Sequence, residues 1–159
     1  MFIVYATRWI CGVEFKVIGK HHLKNPNELG RVVMANHQST WETFFLQLLF
    51  TPNTVILKRE LGYIPFFGWA LALMKPIFID RTDRRSAMQQ ILCKGTERLR
   101  QGEDILIFPE GTRTQIGEYR RFSKGGAVLA TKAGANILPV AHNAGICWPA
   151  KSTLKFPGL

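Results

Sequence analysis

The chain is short of cysteine, of acidic residues and of long unbroken apolar runs, and each shortage removes a class of explanation. Its three cysteines, Cys11, Cys93 and Cys147, are odd in number and widely spaced, with no C-x-x-C pair. They read as reduced, packed thiols rather than a disulfide frame or a zinc site. No cleavable signal peptide is evident, because Arg8 interrupts the apolar run of Met1 to Val13 and no small-residue cleavage site follows. Together these features point to a reducing compartment. Neither apolar stretch, Met1 to Val13 or Tyr63 to Met74, reaches the ~20 residues that a membrane-crossing helix needs. The first reads as a segment lying on a membrane or ending a longer anchor, or else as a packed first helix. The second, with Pro65, Phe66, Phe67 and Trp69, reads as an interfacial surface or as a buried core helix. Acidic residues number 11 against 21 Lys and Arg, and the net charge of +10 favours polyanionic partners: nucleic acid, anionic lipid headgroups or phosphorylated small molecules.

What is present fits one domain, since 159 residues at 47% hydrophobic can bury a sizeable core. Glu14 to Ile18 (EFKVI) alternates like a half-buried strand, bounded by the turn residues Gly19, Asn25, Pro26, Asn27 and Gly30. Further strands are expected at Arg31 to Ala35, Asn53 to Leu57, Pro76 to Ile79, Glu103 to Phe108 and Asn136 to Ala141. Helices are expected from Thr40 to about Phe50, from Ser86 to Arg100, and from Lys124 to Ala133 before Gly134. The helix after Thr40 is apolar over more than one stripe and is either deeply buried or partly in lipid. Strands alternating with helices give an α/β fold, a mixed, largely parallel sheet flanked by helices. Lys155 to Leu159 (KFPGL) reads as the lead-in to a strand that is not supplied, so a truncated C-terminus is expected.

Chemistry concentrates at Asn36-His37-Gln38-Ser39-Thr40-Trp41-Glu42. A neutral imidazole can take a proton from a hydroxyl, and a carboxylate can fix its tautomer. On a continuous helix, positions five apart differ by about 140°, so His37 and Glu42 meet only if His37 precedes the helix in a turn. Ser39 and Glu42 equally form S-x-x-E, a capping box with no catalytic part. The two readings stay open on these residues alone. Ser39 lacks the G-x-S-x-G setting of a hydrolase nucleophile.

Ligands in open α/β sheets collect at the carboxyl ends of strands. Those ends carry His37, Lys58, Arg81 and Glu110-Gly111-Thr112-Arg113, three of the four with a cation. Arginine forks match phosphate oxygens, glycine lets backbone approach a ligand, and Thr112 adds a hydroxyl. Glu110 would repel a phosphate, so it is expected to orient Arg113 or bond a substrate hydroxyl. Arg84, Arg85, Arg98 and Arg100 read as a solvated basic face, which would touch anionic lipid if it touches anything.

Four blocks, NHQSTWE (36 to 42), FIDR (78 to 81), FPEGTR (108 to 113) and ILPVA (137 to 141), with Lys58-Arg59-Glu60-Leu61 as a KxEL segment, are similar in order and spacing to the membrane-associated glycerolipid acyltransferases. Within that family the chain most resembles the bacterial members that acylate 1-acyl-sn-glycerol 3-phosphate. The resemblance implies an acyltransferase-like α/β fold, with residues 1 to 18 as an interfacial lead-in and 19 to 159 as the catalytic domain. It implies His37 as general base with Glu42, and direct transfer of an acyl group from acyl-CoA or acyl carrier protein to lysophosphatidic acid, giving phosphatidic acid in phospholipid biosynthesis. Lys58, Arg81 and Arg113 would bind the acceptor phosphate, and Glu110, Gly111 and Thr112 would shape its pocket. No cofactor or metal is implied, and the expected setting is an anionic membrane surface, the cytoplasmic face of the bacterial inner membrane. The family usually has aspartate where this chain has Glu42, one methylene longer. A different lysolipid acceptor and a non-catalytic membrane-surface module are the alternatives. Nucleic acid fits poorly, for want of any recognised motif. His142 reads as a core or edge histidine.

Overall fold

The computed structural model describes residues 2–24, 27–80, 82–150 and 155–158. Asn25 and Pro26 of the expected turn, Arg81 of the FIDR block and Leu159 lie outside the described residues.

Five strands, β1 (Val32–Ala35), β2 (Asn53–Lys58), β3 (Ile77–Ile79), β4 (Asp104–Ile107) and β5 (Ile137–Val140), form one sheet in the order β3-β2-β4-β1-β5. Every pairing is parallel. A parallel sheet is covered on both faces, which the Val, Ile and Leu runs of these strands require. Successive side chains alternate between faces, so Val32 joins Ile77, Leu99, Ile105 and Leu129 in one core while Val33 joins Leu46, Phe50, Val55 and Leu106 in the other.

Helices α4 (Arg84–Arg100) and α5 (Gly125–Ala133) cover the first face, and α2 (Trp41–Leu49) covers the second. Asp83 caps α4 by accepting the Arg85 and Ser86 amides, and Gly134 stops α5 in a left-handed conformation. Helix α1 (Phe2–Cys11) packs on α2, burying Val4 and leaving Trp9 and Ile10 exposed. Trp41 and Leu46 are buried and Leu48 exposed, so α2 is a core helix with one solvent-facing stripe. A short helix, α6 (Ala144–Cys147), follows β5.

Two expectations are corrected, and one of two alternatives is removed. Glu14 to Ile18 is not a strand: only Val13 bridges, to Gly158, and Ile18 is exposed. Alternation supplies a face, but a strand also needs a neighbouring ladder. Tyr63 to Met74 is not a buried core helix. Residues 59–63 form a 3-10 turn, then α3 (Phe67–Leu73) follows, and within α3 only Gly68 is buried. A Cβ on Gly68 would lie 2.2 Å from the Gly62 carbonyl oxygen, so backbone contact rather than side-chain burial seats this helix. Phe66, Trp69 and Leu73 stand exposed. Among the described residues, no helix is long and apolar enough to cross a membrane. Finally, Arg98 does not belong to a solvated basic face, because it is half-buried and paired with Glu103 at 3.1 Å.

Candidate active site

The carboxyl ends of the parallel strands lie along one edge, and the loops leaving β1, β4 and β5 meet there. His37 leaves β1 in a turn before α2, as its pairing with Glu42 requires. Its Nδ1 lies 2.8 Å from Glu42 Oε1. That same oxygen accepts the Gln38 amide at 3.1 Å and the Ser39 amide at 2.9 Å. An oxygen already accepting two hydrogens is an acceptor for the ring as well, so the imidazole carries its proton on Nδ1. Nε2 is left with a lone pair, and among the described residues it has no partner.

The capping box and the pair therefore coexist. Ser39, fully buried, accepts the Trp41 amide at 3.1 Å through Oγ while Glu42 reaches back to the start of the helix. Both tasks fall to Oε1. Glu42 Oε2 is buried without a hydrogen-bond partner. Glu42 is 1% exposed and His37 16%, so the carboxylate is sealed beneath an imidazole that reaches the surface.

The FPEGTR turn holds His37 from the other side. Gly111 adopts φ +73, a left-handed conformation that suits glycine, and its amide donates to the Phe108 carbonyl at 3.0 Å. Glu110 Oε2 accepts the His37 backbone amide at 2.7 Å. Glu110 is thus tied to the backbone of His37 itself. The Thr114 amide and hydroxyl both donate to the His37 carbonyl, at 2.8 and 3.1 Å, and Phe108 stacks on the imidazole at 4.1 Å and 20°. Thr114 and Phe108 position the ring, yet neither role was legible in the sequence, because each partner lies more than seventy positions away.

Asn36 clamps the loop to the end of β5 by donating to the His142 carbonyl and accepting its amide, both at 3.0 Å. His142 Nδ1 accepts the Ala144 amide at 3.2 Å, so Nε2 carries the proton and donates to the Asn36 carbonyl at 2.6 Å. With both nitrogens engaged, His142 has no lone pair to act as a second base.

The cations are dispersed along the same edge. Arg113 is exposed after β4, the neighbour of β1, and among the described residues it has no carboxylate partner. Lys58 ends β2, two strands from β1, and pairs with Glu60 at 2.8 Å. That hydrogen bond holds the Glu60 carboxyl below its usual range. Asp80, after β3, is likewise lowered, first by the Thr82 hydroxyl and then by its amide. Thr112 and Gly111 are exposed on the turn between Glu110 and Arg113. Among the described residues, no group of three His, Cys, Asp or Glu is arranged to hold a metal ion.

Two openings flank the pair. An apolar groove of about 570 Å³, bordered by Glu42, Phe15, Trp41, Phe45, Leu49 and Trp148, lies over α2. A more polar cleft of about 420 Å³ lies beside Gln38 and Thr114.

Comparison with known proteins adds a family. The family model described as Acyltransferase matches residues 14–143. The 1-acyl-sn-glycerol-3-phosphate acyltransferase of Pseudomonas aeruginosa is 50% identical over 157 residues, 99% of this chain and 60% of that one. The Saccharomyces cerevisiae protein of the same name is 38% identical over 141 residues, 86% of this chain and 45% of that one. The crystal structure of the 1-acyl-sn-glycerophosphate (LPA) acyltransferase from Thermotoga maritima superposes with a TM-score of 0.77 at 26% identity, covering 98% of this chain and 61% of that one. The chain thus spans about half to three fifths of the length of these relatives. Because the matched segment holds the whole sheet together with His37, Glu42 and the turn that carries Arg113, this chain belongs to the acyltransferase family.

Proposed function

We propose that the chain carries the reaction centre of a 1-acyl-sn-glycerol-3-phosphate acyltransferase, in which His37 deprotonates the free hydroxyl of lysophosphatidic acid. The observation that carries this reading is the free Nε2 lone pair of His37, its other nitrogen fixed by Glu42, one strand from an exposed, unpaired Arg113. The hydroxyl proton passes to Nε2 and the oxygen attacks the thioester carbonyl of acyl-CoA or acyl carrier protein. The C–S bond then breaks, and the leaving thiolate takes the proton back from the imidazolium. Glu42 steadies the imidazolium between these steps. No protein nucleophile takes part, in keeping with a Ser39 hydroxyl that is sealed and spent on the helix cap.

Strand spacing ranks the cations. Neighbouring strands lie about 4.8 Å apart, so the end of β4 is one step from His37, β2 about 10 Å away and β3 about 14 Å. A phosphate attached to the same glycerol as the reacting hydroxyl falls nearest Arg113, with Lys58 reaching in on its long arm. Arg81 of the FIDR block would assist, and Gly111 and Thr112 would line the phosphate's turn. Glu110 serves through the His37 amide rather than by touching substrate. The groove over α2 suits an acyl chain. Trp9, Ile10, Phe66 and Trp69 give exposed apolar surface suited to resting on anionic lipid at the cytoplasmic face of a membrane.

The test is a thioester-release assay with a panel of lysolipids, comparing the wild-type chain with His37→Ala and Arg113→Ala. His37→Ala is expected to lose on the order of 10³-fold in rate. Arg113→Ala is expected to raise the KM for lysophosphatidate about tenfold or more while sparing the donor KM. Equal transfer by wild type and His37→Ala would remove the base. Vesicle binding without any transfer would favour a membrane-surface module.

A further inference from the structure

The polar cleft beside Gln38 is unexplained by the acceptor. It lies at the carboxyl ends of β4, β1 and β5, walled by Gln38, Thr114, Gln115, Ile116, Gly145 and Pro149. Lys58 lies two strands from β1 on the side away from β5. The volume of about 420 Å³ falls in the ~300–1,000 Å³ range of small-molecule sites.

The chemistry of the walls is specific. Gln38 and Gln115 each bring a side-chain carboxamide, and among the described residues neither carboxamide has a hydrogen-bond partner. Ile116 and Pro149 supply apolar surface between them. Among the described residues, no charged side chain lines it. A ligand matched to this cleft is a slender neutral chain carrying amide groups and a branched apolar centre. A phosphate or a sugar would leave the apolar wall unused.

Gly145 sets the width on one side. A Cβ there would lie 2.9 Å from Gln38 Cβ and 3.1 Å from its Oε1, so any side chain at 145 would drive the Gln38 carboxamide from its place. Gln38 directly follows His37, and Thr114 holds the His37 carbonyl, so the cleft adjoins the backbone of His37.

We infer that this cleft receives the pantetheine arm of the acyl thioester, the two carboxamides hydrogen-bonding the arm's two amides so that the thioester lies next to His37. The inference rests on the proposed transfer from a CoA or carrier-protein thioester, since both donors carry this arm.

The test pairs binding with turnover, using the full chain. CoA is titrated calorimetrically into wild type, Gln115→Ala and Gln38→Ala, with pantetheine and adenosine 3′,5′-bisphosphate as separate competitors. Each variant is expected to weaken CoA by about three- to tenfold, the effect of one lost hydrogen bond, and to raise the donor KM equally without moving the KM for lysophosphatidate. Pantetheine is expected to compete. Gly145→Ala is expected to act in the same direction. CoA affinity and donor KM indifferent to both glutamines, displacement by adenosine 3′,5′-bisphosphate alone, or no binding by wild type would each overturn the inference. Glutamine-dependent binding without any acyl transfer would preserve the cleft and sink the transferase reading. Normal transfer with a donor KM blind to both glutamines would do the reverse. Gln115 is exposed, so its variant keeps the test open if Gln38→Ala fails to fold.

Discussion

Two ion pairs sit at opposite ends of β1, and they are built on opposite plans. At the amino end, Arg31 and Asp104 meet at 2.6 Å through Nη2 and at 3.2 Å through Nε, and Asp104 also accepts the Arg31 amide at 2.7 Å. The remaining guanidinium donors reach the His22 and Leu23 carbonyls, and both side chains are almost wholly buried. This pair is saturated and faces inward. At the carboxyl end, His37 and Glu42 leave one ring nitrogen and one carboxylate oxygen without partners among the described residues. A closed pair can only hold the sheet's register against the chain before it. An open pair has a lone pair to offer a substrate.

The largest expected difference is in folding. Asp104→Asn strands the Arg31 charge in the core, and losing one partner of a buried pair costs about 3–5 kcal/mol. His37→Ala removes one contact of a side chain that reaches the surface and is expected to cost only about 1 kcal/mol. Urea unfolding of the two variants beside the wild type measures this. A smaller loss for Asp104→Asn than for His37→Ala would break the division between the two ends. So would a folded Asp104→Asn protein with no activity per molecule.

Next in size is the carboxylate itself. Glu42→Gln keeps an oxygen for the Ser39 and Gln38 amides but removes the charge that steadies a protonated imidazole. Activity is expected to fall on the order of 10²-fold while unfolding shifts by about 1 kcal/mol or less. A variant with full activity would reduce Glu42 to a helix cap, and a variant that unfolds would show that the open pair is structural after all.

The same contrast explains what could be read from the residues beforehand. The five strands, the stop at Gly134 and the turn that lets His37 meet Glu42 rest on local signals: apolar runs, a left-handed glycine, and two chemical groups whose spacing demands a turn. That one oxygen of Glu42 serves both the cap and His37 was beyond reach, since the capping box and the pair use the same residues and differ only in where atoms fall. The Thr114 clamp, the Phe108 stack and the Asn36–His142 link join residues far apart in the chain, and nothing in a threonine after an arginine announces its partner. The strand expected at Glu14 to Ile18 failed for the converse reason, a good local pattern with only one bridging neighbour.

The smallest effect is expected at Ser39, and it separates two chemistries. Its hydroxyl lies close to His37 in sequence, but it is fully buried and accepts the Trp41 amide, so its visible task is to cap α2. Ser39→Ala should cost about 1 kcal/mol in unfolding, the usual worth of such a cap. The backbone amide of residue 39 survives the change, so Glu42 Oε1 keeps its donor and His37 its tautomer. Activity per folded molecule should stay within about twofold, which amounts to under half a kcal/mol of barrier. Trapping experiments with a labelled acyl thioester should find no acyl group on the protein. A folded Ser39→Ala protein unable to transfer acyl groups would mean that Ser39 leaves its cap to act as nucleophile. The open pair would then work through a covalent acyl-enzyme rather than by activating the acceptor directly.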